Sequence, residues 1–102
     1  MRRGEVRWAE HPDWPRRPVL VLTRDEAIDR LTEIFVVLAT TNIRGLPTEV
    51  ELGPDDGMPR ACVLNADHTA TLGKGCLGEL ITTLSPGRLA EVCAALDRAT
   101  GC

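Results

Sequence analysis

Ile34-Phe35-Val36-Val37-Leu38-Ala39-Thr40-Thr41-Asn42-Ile43-Arg44-Gly45-Leu46-Pro47-Thr48-Glu49-Val50-Glu51-Leu52 is the stretch that decides the fold. Ile34 to Ala39 is an unbroken apolar run rich in β-branched side chains, short for a helix and suited to a strand buried on both faces. Thr40, Thr41 and Asn42 then put three short hydrogen-bonding side chains where that strand leaves the core. Arg44-Gly45-Leu46-Pro47 is a turn signal, and Thr48 to Leu52 alternates polar with apolar residues as a half-buried strand does. The spacing predicts a hairpin with a polar rim.

Upstream, Glu5 to Ala9 suits a first strand with Val6 and Trp8 facing one way and Trp8 in the core. Glu10 to Pro15 packs two prolines, a histidine and an aspartate together, which predicts a loop. Arg17-Pro18 opens a second apolar strand, Val19 to Thr23, with proline tolerated at its start because no ladder donor is needed there. Thr23 ahead of Arg24-Asp25-Glu26 reads as the N-cap of a short helix whose apolar face is Ala27, Ile28 and Leu31. Downstream, Gly53 to Pro59 reads as a surface loop, Ala61 to Asn65 as a strand, Ala66 to Gly75 as a polar connector and Leu80 to Leu84 as the last strand. Ser85-Pro86 supplies an N-cap and a proline at the first helical position, and Leu89, Val92, Cys93 and Leu96 recur at helical spacing up to Thr100-Gly101. The architecture implied is mainly β with short helices (α+β), a small SH3-like β-barrel with a C-terminal amphipathic helix, forming one domain over residues 1–102.

A chain of 102 residues leaves much of its surface exposed on folding, so a homodimer is a natural way to complete the core. The apolar content of 43% and charged content of 26% are those of a globular protein, and no apolar run is long enough to span a membrane. Glu5 and Glu10 interrupt the amino-terminal segment and no apolar stretch follows a basic one, so it is not a signal peptide and a cytoplasmic location is expected. The four cysteines, 62, 76, 93 and 102, lack the CxxC spacing of a zinc site and the pattern of a secreted disulfide framework. They read as free thiols, and no metal or cofactor is implied.

The net charge of −3 is unevenly spread. Residues 1–24 carry six arginines against Glu5, Glu10 and Asp13, whereas residues 25–102 carry six basic and twelve acidic groups. Eleven of the twelve basic residues are arginine, the type suited to bidentate phosphate contact, although a GC-rich coding bias produces the same excess. A local basic groove on an acidic protein binds nucleic acid modestly and with strong salt dependence.

The order strand, Thr40-Thr41-Asn42-Ile43-Arg44-Gly45-Leu46-Pro47, alternating strand resembles the centre of the MazF/PemK family of toxin endoribonucleases. Arg2-Arg3-Gly4-Glu5-Val6 and Arg16-Arg17-Pro18-Val19-Leu20-Val21-Leu22 resemble that family's first two strands. Cys62-Val63-Leu64-Asn65-Ala66-Asp67 and Gly78-Glu79-Leu80-Ile81-Thr82-Thr83-Leu84-Ser85-Pro86 resemble its last strands and the start of its terminal helix. The resemblance implies the toxin half of a type II toxin–antitoxin pair: a homodimer, silenced by a MazE-like antitoxin, that cuts single-stranded RNA at a short sequence without a metal. In such cleavage the 2′-hydroxyl attacks the adjacent phosphate and leaves a 2′,3′-cyclic phosphate and a 5′-hydroxyl.

That chemistry needs a proton acceptor, a proton donor and a stabiliser of phosphoryl charge. The resemblance gives Arg17 and Thr40 as catalytic residues: a permanent cation for the phosphate and a hydroxyl that donates to it. Asp67 matches an acidic residue with an acid/base role in the family, while Asn65 stands where one branch has a basic residue. His11 has the free pKa of a proton-transfer group but is also what a solvated loop histidine looks like, and His68 is the weaker histidine. Arg16, Thr41 and Asn42 are the candidate RNA-binding neighbours. Trp14, read as a loop aromatic, can stack on an RNA base or lie as a lid on the core. Leu38 departs from the proline usual two positions before the threonine. The alternatives are a non-catalytic gyrase-binding toxin of the CcdB kind, which the carboxy-terminal Ala99-Thr100-Gly101-Cys102 disfavours, and a degenerate paralogue that binds RNA or antitoxin without cutting.

Overall fold

The computed structural model describes residues 1–102. Six strands, β1 (Glu5–His11), β2 (Trp14–Val21), β3 (Glu33–Thr40), β4 (Glu49–Leu52), β5 (Cys62–Gly73) and β6 (Leu77–Thr83), form one antiparallel sheet in the order β4-β5-β3-β2-β1-β6. One helical turn, α1 (Asp25–Ile28), joins β2 to β3, and α2 (Pro86–Thr100) packs against β4 and β5. The sheet is curled, so mostly-β architecture with a terminal helix holds as expected.

Apolar side chains fill both faces. Leu20 and Leu22 of the β2 segment and Val37 and Ala39 of β3 join the larger cluster with Val6, Leu64 and the helix residues Val92 and Ala95. Val19, Val21, Ile34 and Val36 point the other way, into a smaller cluster with Ala9, Ile28 and Leu72. Two cores served by the same strands are why the runs of β2 and β3 are continuous rather than alternating.

β3 and β4 are not a hairpin. Both pair with β5, through Thr40↔Val63 and Glu49↔Asn65, so residues 41–48 cross the end of β5. The reason lies in β5: every residue from Cys62 to Ala66 is buried, and a strand buried throughout needs a neighbour on each side, whereas the alternating Glu49–Leu52 belongs at an edge. Ala66 to Gly75 is not a connector either, since β5 runs on to Gly73. Its Thr69-Ala70-Thr71-Leu72 segment alternates exposed with more buried residues, a strand pattern hidden by polar composition. Val37 pairs with Thr69 but Leu38 with Asn65, so Ala66, Asp67 and His68 bulge from β5.

The expected loop from Glu10 to Pro15 contracts to a turn at Pro12-Asp13, with His11 paired to Trp14. Thr23 does not cap α1, whose N-cap is Arg24; its Oγ1 accepts the Phe35 N–H at 2.7 Å. Trp8 is half-buried rather than core. In α2 the Ser85 cap, Pro86 and the αL Gly101 stand as expected, but Cys93 is exposed, and the inward face runs through Leu89, Val92, Ala95, Leu96 and Ala99. All four cysteines are free.

Candidate active site

β2 and β3 run antiparallel with Val19 opposite Leu38, Leu20 opposite Val37 and Val21 opposite Val36. Carrying that register two residues beyond Val19↔Leu38 sets Arg17 opposite Thr40. Arg17 alternates in phase with Val19 and Val21, and Thr40 with Ile34 and Val36, so both side chains belong to the face of the smaller core. The sheet thus brings together two residues far apart in sequence, just past the last rung of the ladder, where no backbone pairing occupies the space between them.

A cleft of about 380 Å³ opens there. Arg16, Arg17, Pro18 and Trp8 line one side, Ala39, Thr40 and Thr41 a second, and Met58, Pro59, Arg60 and Cys62 a third. Its three guanidiniums make it strongly cationic. Arg16 lies over the Trp8 ring, 4.3 Å from its centroid, and reaches Glu10 at 3.6 Å. Arg60 is exposed and makes no ion pair or side-chain hydrogen bond. Arg17 likewise has no ion pair, and its Nε is buried without an acceptor. A guanidinium without a protein counter-charge presents its donor edge to whatever anion enters.

Thr40 Oγ1 accepts the Asn42 N–H at 3.1 Å, which fixes the side chain and leaves its O–H free to donate. The cleft has no carboxylate and no imidazole among its lining residues. Its remaining titratable group, the Cys62 thiol, is pushed up in pKa by burial and by the Asp56 carboxylate, which keeps it protonated. This arrangement can bind an anion and stabilise charge growing on it. Nowhere in the chain do three His, Cys, Asp or Glu side chains gather as a metal-ligand set.

A scan against protein families matches residues 2–100 to the PemK-like, MazF-like toxins of type II toxin–antitoxin systems. The chain belongs to the MazF/PemK toxin family. A relative in Mycobacterium tuberculosis, the probable endoribonuclease MazF2, is 46% identical over 103 residues and is aligned over 100% of both chains. Among solved structures, the Mycobacterium tuberculosis toxin MazF-mt6 superposes with a TM-score of 0.87 at 31% identity, covering 95% of this chain and 96% of that one. An endoribonuclease from a mycobacterial species, solved in complex with its cognate antitoxin, superposes with a TM-score of 0.87 at 29% identity, over 99% of this chain and 95% of that one.

Of the other residues singled out from the sequence in this MazF-family chain, Arg16 and Thr41 line the cleft and the rest lie around it. Asn42 follows Thr41 on the exposed turn. Asp67 sits on the β5 bulge, beyond Asn65 and away from Thr40, its Oδ2 accepting from Thr48 Oγ1 at 2.7 Å and its N–H donating to Asn65 Oδ1. His68 is exposed beside it. His11 accepts the Asp13 N–H on Nδ1 at 3.1 Å and stacks on Trp14, with centroids 5.1 Å apart and planes 6° from parallel. The Arg17 guanidinium also lies over the Trp14 ring, 5.4 Å from its centroid. Arg60 was not singled out from the sequence; only the fold carries Met58-Pro59-Arg60 to the mouth of the cleft. No helix is long and apolar enough to cross a membrane.

Proposed function

We propose that this chain is the toxin of a type II toxin–antitoxin pair and an endoribonuclease that cuts single-stranded RNA in the cytoplasm, slowing translation and growth. The observation that carries the reading is the unpaired Arg17 beside Thr40 in a cleft of three arginines. The scissile phosphate occupies the cleft. Arg17 holds its non-bridging oxygens, Thr40 O–H donates to one of them, and Arg16, Arg60, Thr41 and Asn42 guide the flanking backbone. As the 2′-oxygen bonds to phosphorus the negative charge on those oxygens grows, and both donors bind it more strongly than they bind the ground state. The bond to the 5′-oxygen then breaks, leaving a 2′,3′-cyclic phosphate and a 5′-hydroxyl. The 2′-hydroxyl gives up a proton as it attacks and the 5′-oxygen takes one as it leaves, and Asp67 and His11 are the candidates for these two transfers.

Two copies of the chain form a homodimer, and an antitoxin segment bearing acidic and apolar side chains occupies the same cleft in competition with RNA, as antitoxin complexes of related chains make reasonable. The family's model and relatives favour this reading over a gyrase-binding toxin.

Purified protein incubated with end-labelled RNA in EDTA should release fragments with 2′,3′-cyclic phosphate ends. Arg17→Ala and Thr40→Ala should each lower the rate about 10²- to 10³-fold, as loss of one donor to a developing oxyanion does, with the fold intact by circular dichroism. Wild-type protein that binds RNA and never cuts it would favour the degenerate paralogue; a folded variant cutting at the wild-type rate would dismiss the assignment of that residue.

A further inference from the structure

Trp14 stands behind the cleft and does not line it. In a regular strand, Trp14 and Arg17, three residues apart, would point to opposite faces. Here Ala9 pairs with Arg17 and His11 with Trp14, so two steps along β1 match three along β2. The extra residue is a β-bulge, and it returns Trp14 to the face of Arg17. The result is that the Trp14 ring packs against both the His11 imidazole and the Arg17 guanidinium.

We propose that Trp14 is a positioning residue for Arg17: the His11–Trp14 pair is a platform that holds the guanidinium at the phosphate site, and Trp14 does not itself bind RNA. The inference rests on the endoribonuclease reading above. Arg17 has no carboxylate, carbonyl or hydroxyl partner in the protein, and its Nε is buried without an acceptor. A hydrogen-bonded clamp on Arg17 would consume donors or neutralise its charge. Stacking on a ring face restrains the long side chain while leaving its edge N–H groups and full charge for the phosphate. His11 in turn fixes the indole, its own Nδ1 tied to the Asp13 N–H across the turn.

The test has a spectroscopic arm and a kinetic arm. In a ¹H–¹⁵N spectrum of arginine side chains, the Arg17 Nε–H signal, assigned by its loss in Arg17→Ala, should be shifted upfield by the indole ring current and should return to the ordinary arginine position in Trp14→Leu. An unshifted signal in the wild type overturns the proposal whether or not the protein cleaves RNA. In single-turnover cleavage, Trp14→Leu should lower the rate constant about tenfold with little change in affinity for a 2′-deoxy-substituted uncleavable RNA, and Trp14→Phe should recover most of the rate, since a smaller ring still offers a stacking face. In an Arg17→Ala background, adding Trp14→Leu should leave RNA affinity unchanged; a further loss would mean that Trp14 contacts a base directly and would overturn the proposal. Arg17→Ala cutting at the wild-type rate would defeat the catalytic reading itself, whereas an inactive Arg17→Ala beside a fully active Trp14→Leu would defeat only the platform.

Discussion

Arginines in this protein divide by what holds them. Arg7 is tied to Glu5 and the Gly78 carbonyl, and Arg88 to Asp56 and Glu91, whereas Arg17 and Arg60 face the cleft with no counter-charge. The paired ones serve the fold and the unpaired ones remain available to an anion. Arg60 reaches the cleft from the segment after β4, so removing it should subtract one phosphate contact without disturbing Arg17. For Arg60→Ala, the slope of log affinity against log salt for an uncleavable single-stranded RNA should become shallower by about 0.7, the value for one released counterion. Fluorescence anisotropy at several salt concentrations measures it, and an unchanged slope would take Arg60 off the RNA path. Sequence could suggest Arg17, because a family motif surrounds it, but not Arg60, which stands in a loop of ordinary composition and acquires meaning only from its neighbours in space.

At the scale of elements, legibility followed burial pattern. Long apolar runs and the capped helix α2 were plain in the sequence because each announces its own environment, and the polar second half of β5 was not, because its threonines look like a connector until their pairing with β3 is known. The supposed hairpin failed for a related reason: a turn signal tells where the chain bends but not which strand receives it. That bend has its own internal support. Glu49 Oε1 accepts the backbone N–H groups of Arg44, Gly45 and Leu46 at 3.0, 2.8 and 3.3 Å, gathering the crossover from β3 to β4 around one carboxylate oxygen. Gly45 sits within this nest at a φ of 72°, where a side chain would be strained. Glu49→Ala should cost about 1–2 kcal/mol and speed amide exchange at residues 44–46 far more than in β3, since three donors lose a charged acceptor. Uniform exchange across the two regions would show that the nest contributes nothing local. Because Thr40 begins this segment, cleavage should fall as well.

For the molecule as a whole, the weak point under acid is the clamp between α2 and the turn after β4. Arg88 Nε donates to Asp56 Oδ1 at 3.0 Å, Asp56 Oδ2 accepts the Gly53 N–H at 3.0 Å, and Thr82 Oγ1 donates to the Asp56 carbonyl at 2.8 Å, so one residue ties helix, turn and β6 together. The Arg88 hydrogen bond and then the Gly53 N–H, with a lesser part from the Arg88 charge, hold the Asp56 pKa below its ordinary 3.8 against the opposing effect of burial. A carboxylate with a depressed folded-state pKa binds fewer protons folded than unfolded. Its contribution is therefore fully present above the unfolded value and is lost as pH falls through the folded one. Glu5 behaves similarly: burial works upward on its pKa, but the Arg2 N–H and the hydrogen bond and charge of Arg7, with the amino terminus, outweigh it. Its effect is common to wild type and an Asp56 variant and cancels in their difference. Asp56→Asn keeps the shape of the side chain and removes the charge, so at pH 7 it should be less stable than wild type by on the order of 1 kcal/mol, because Arg88 is partly solvated. That gap should hold down to about pH 4 and close below it as the wild-type carboxylate takes up its proton. Urea unfolding of both proteins at pH 7, 5 and 3 measures the difference directly. A gap that persists undiminished at pH 3 would mean that the clamp acts through shape alone and that α2 is held to the sheet by its apolar face.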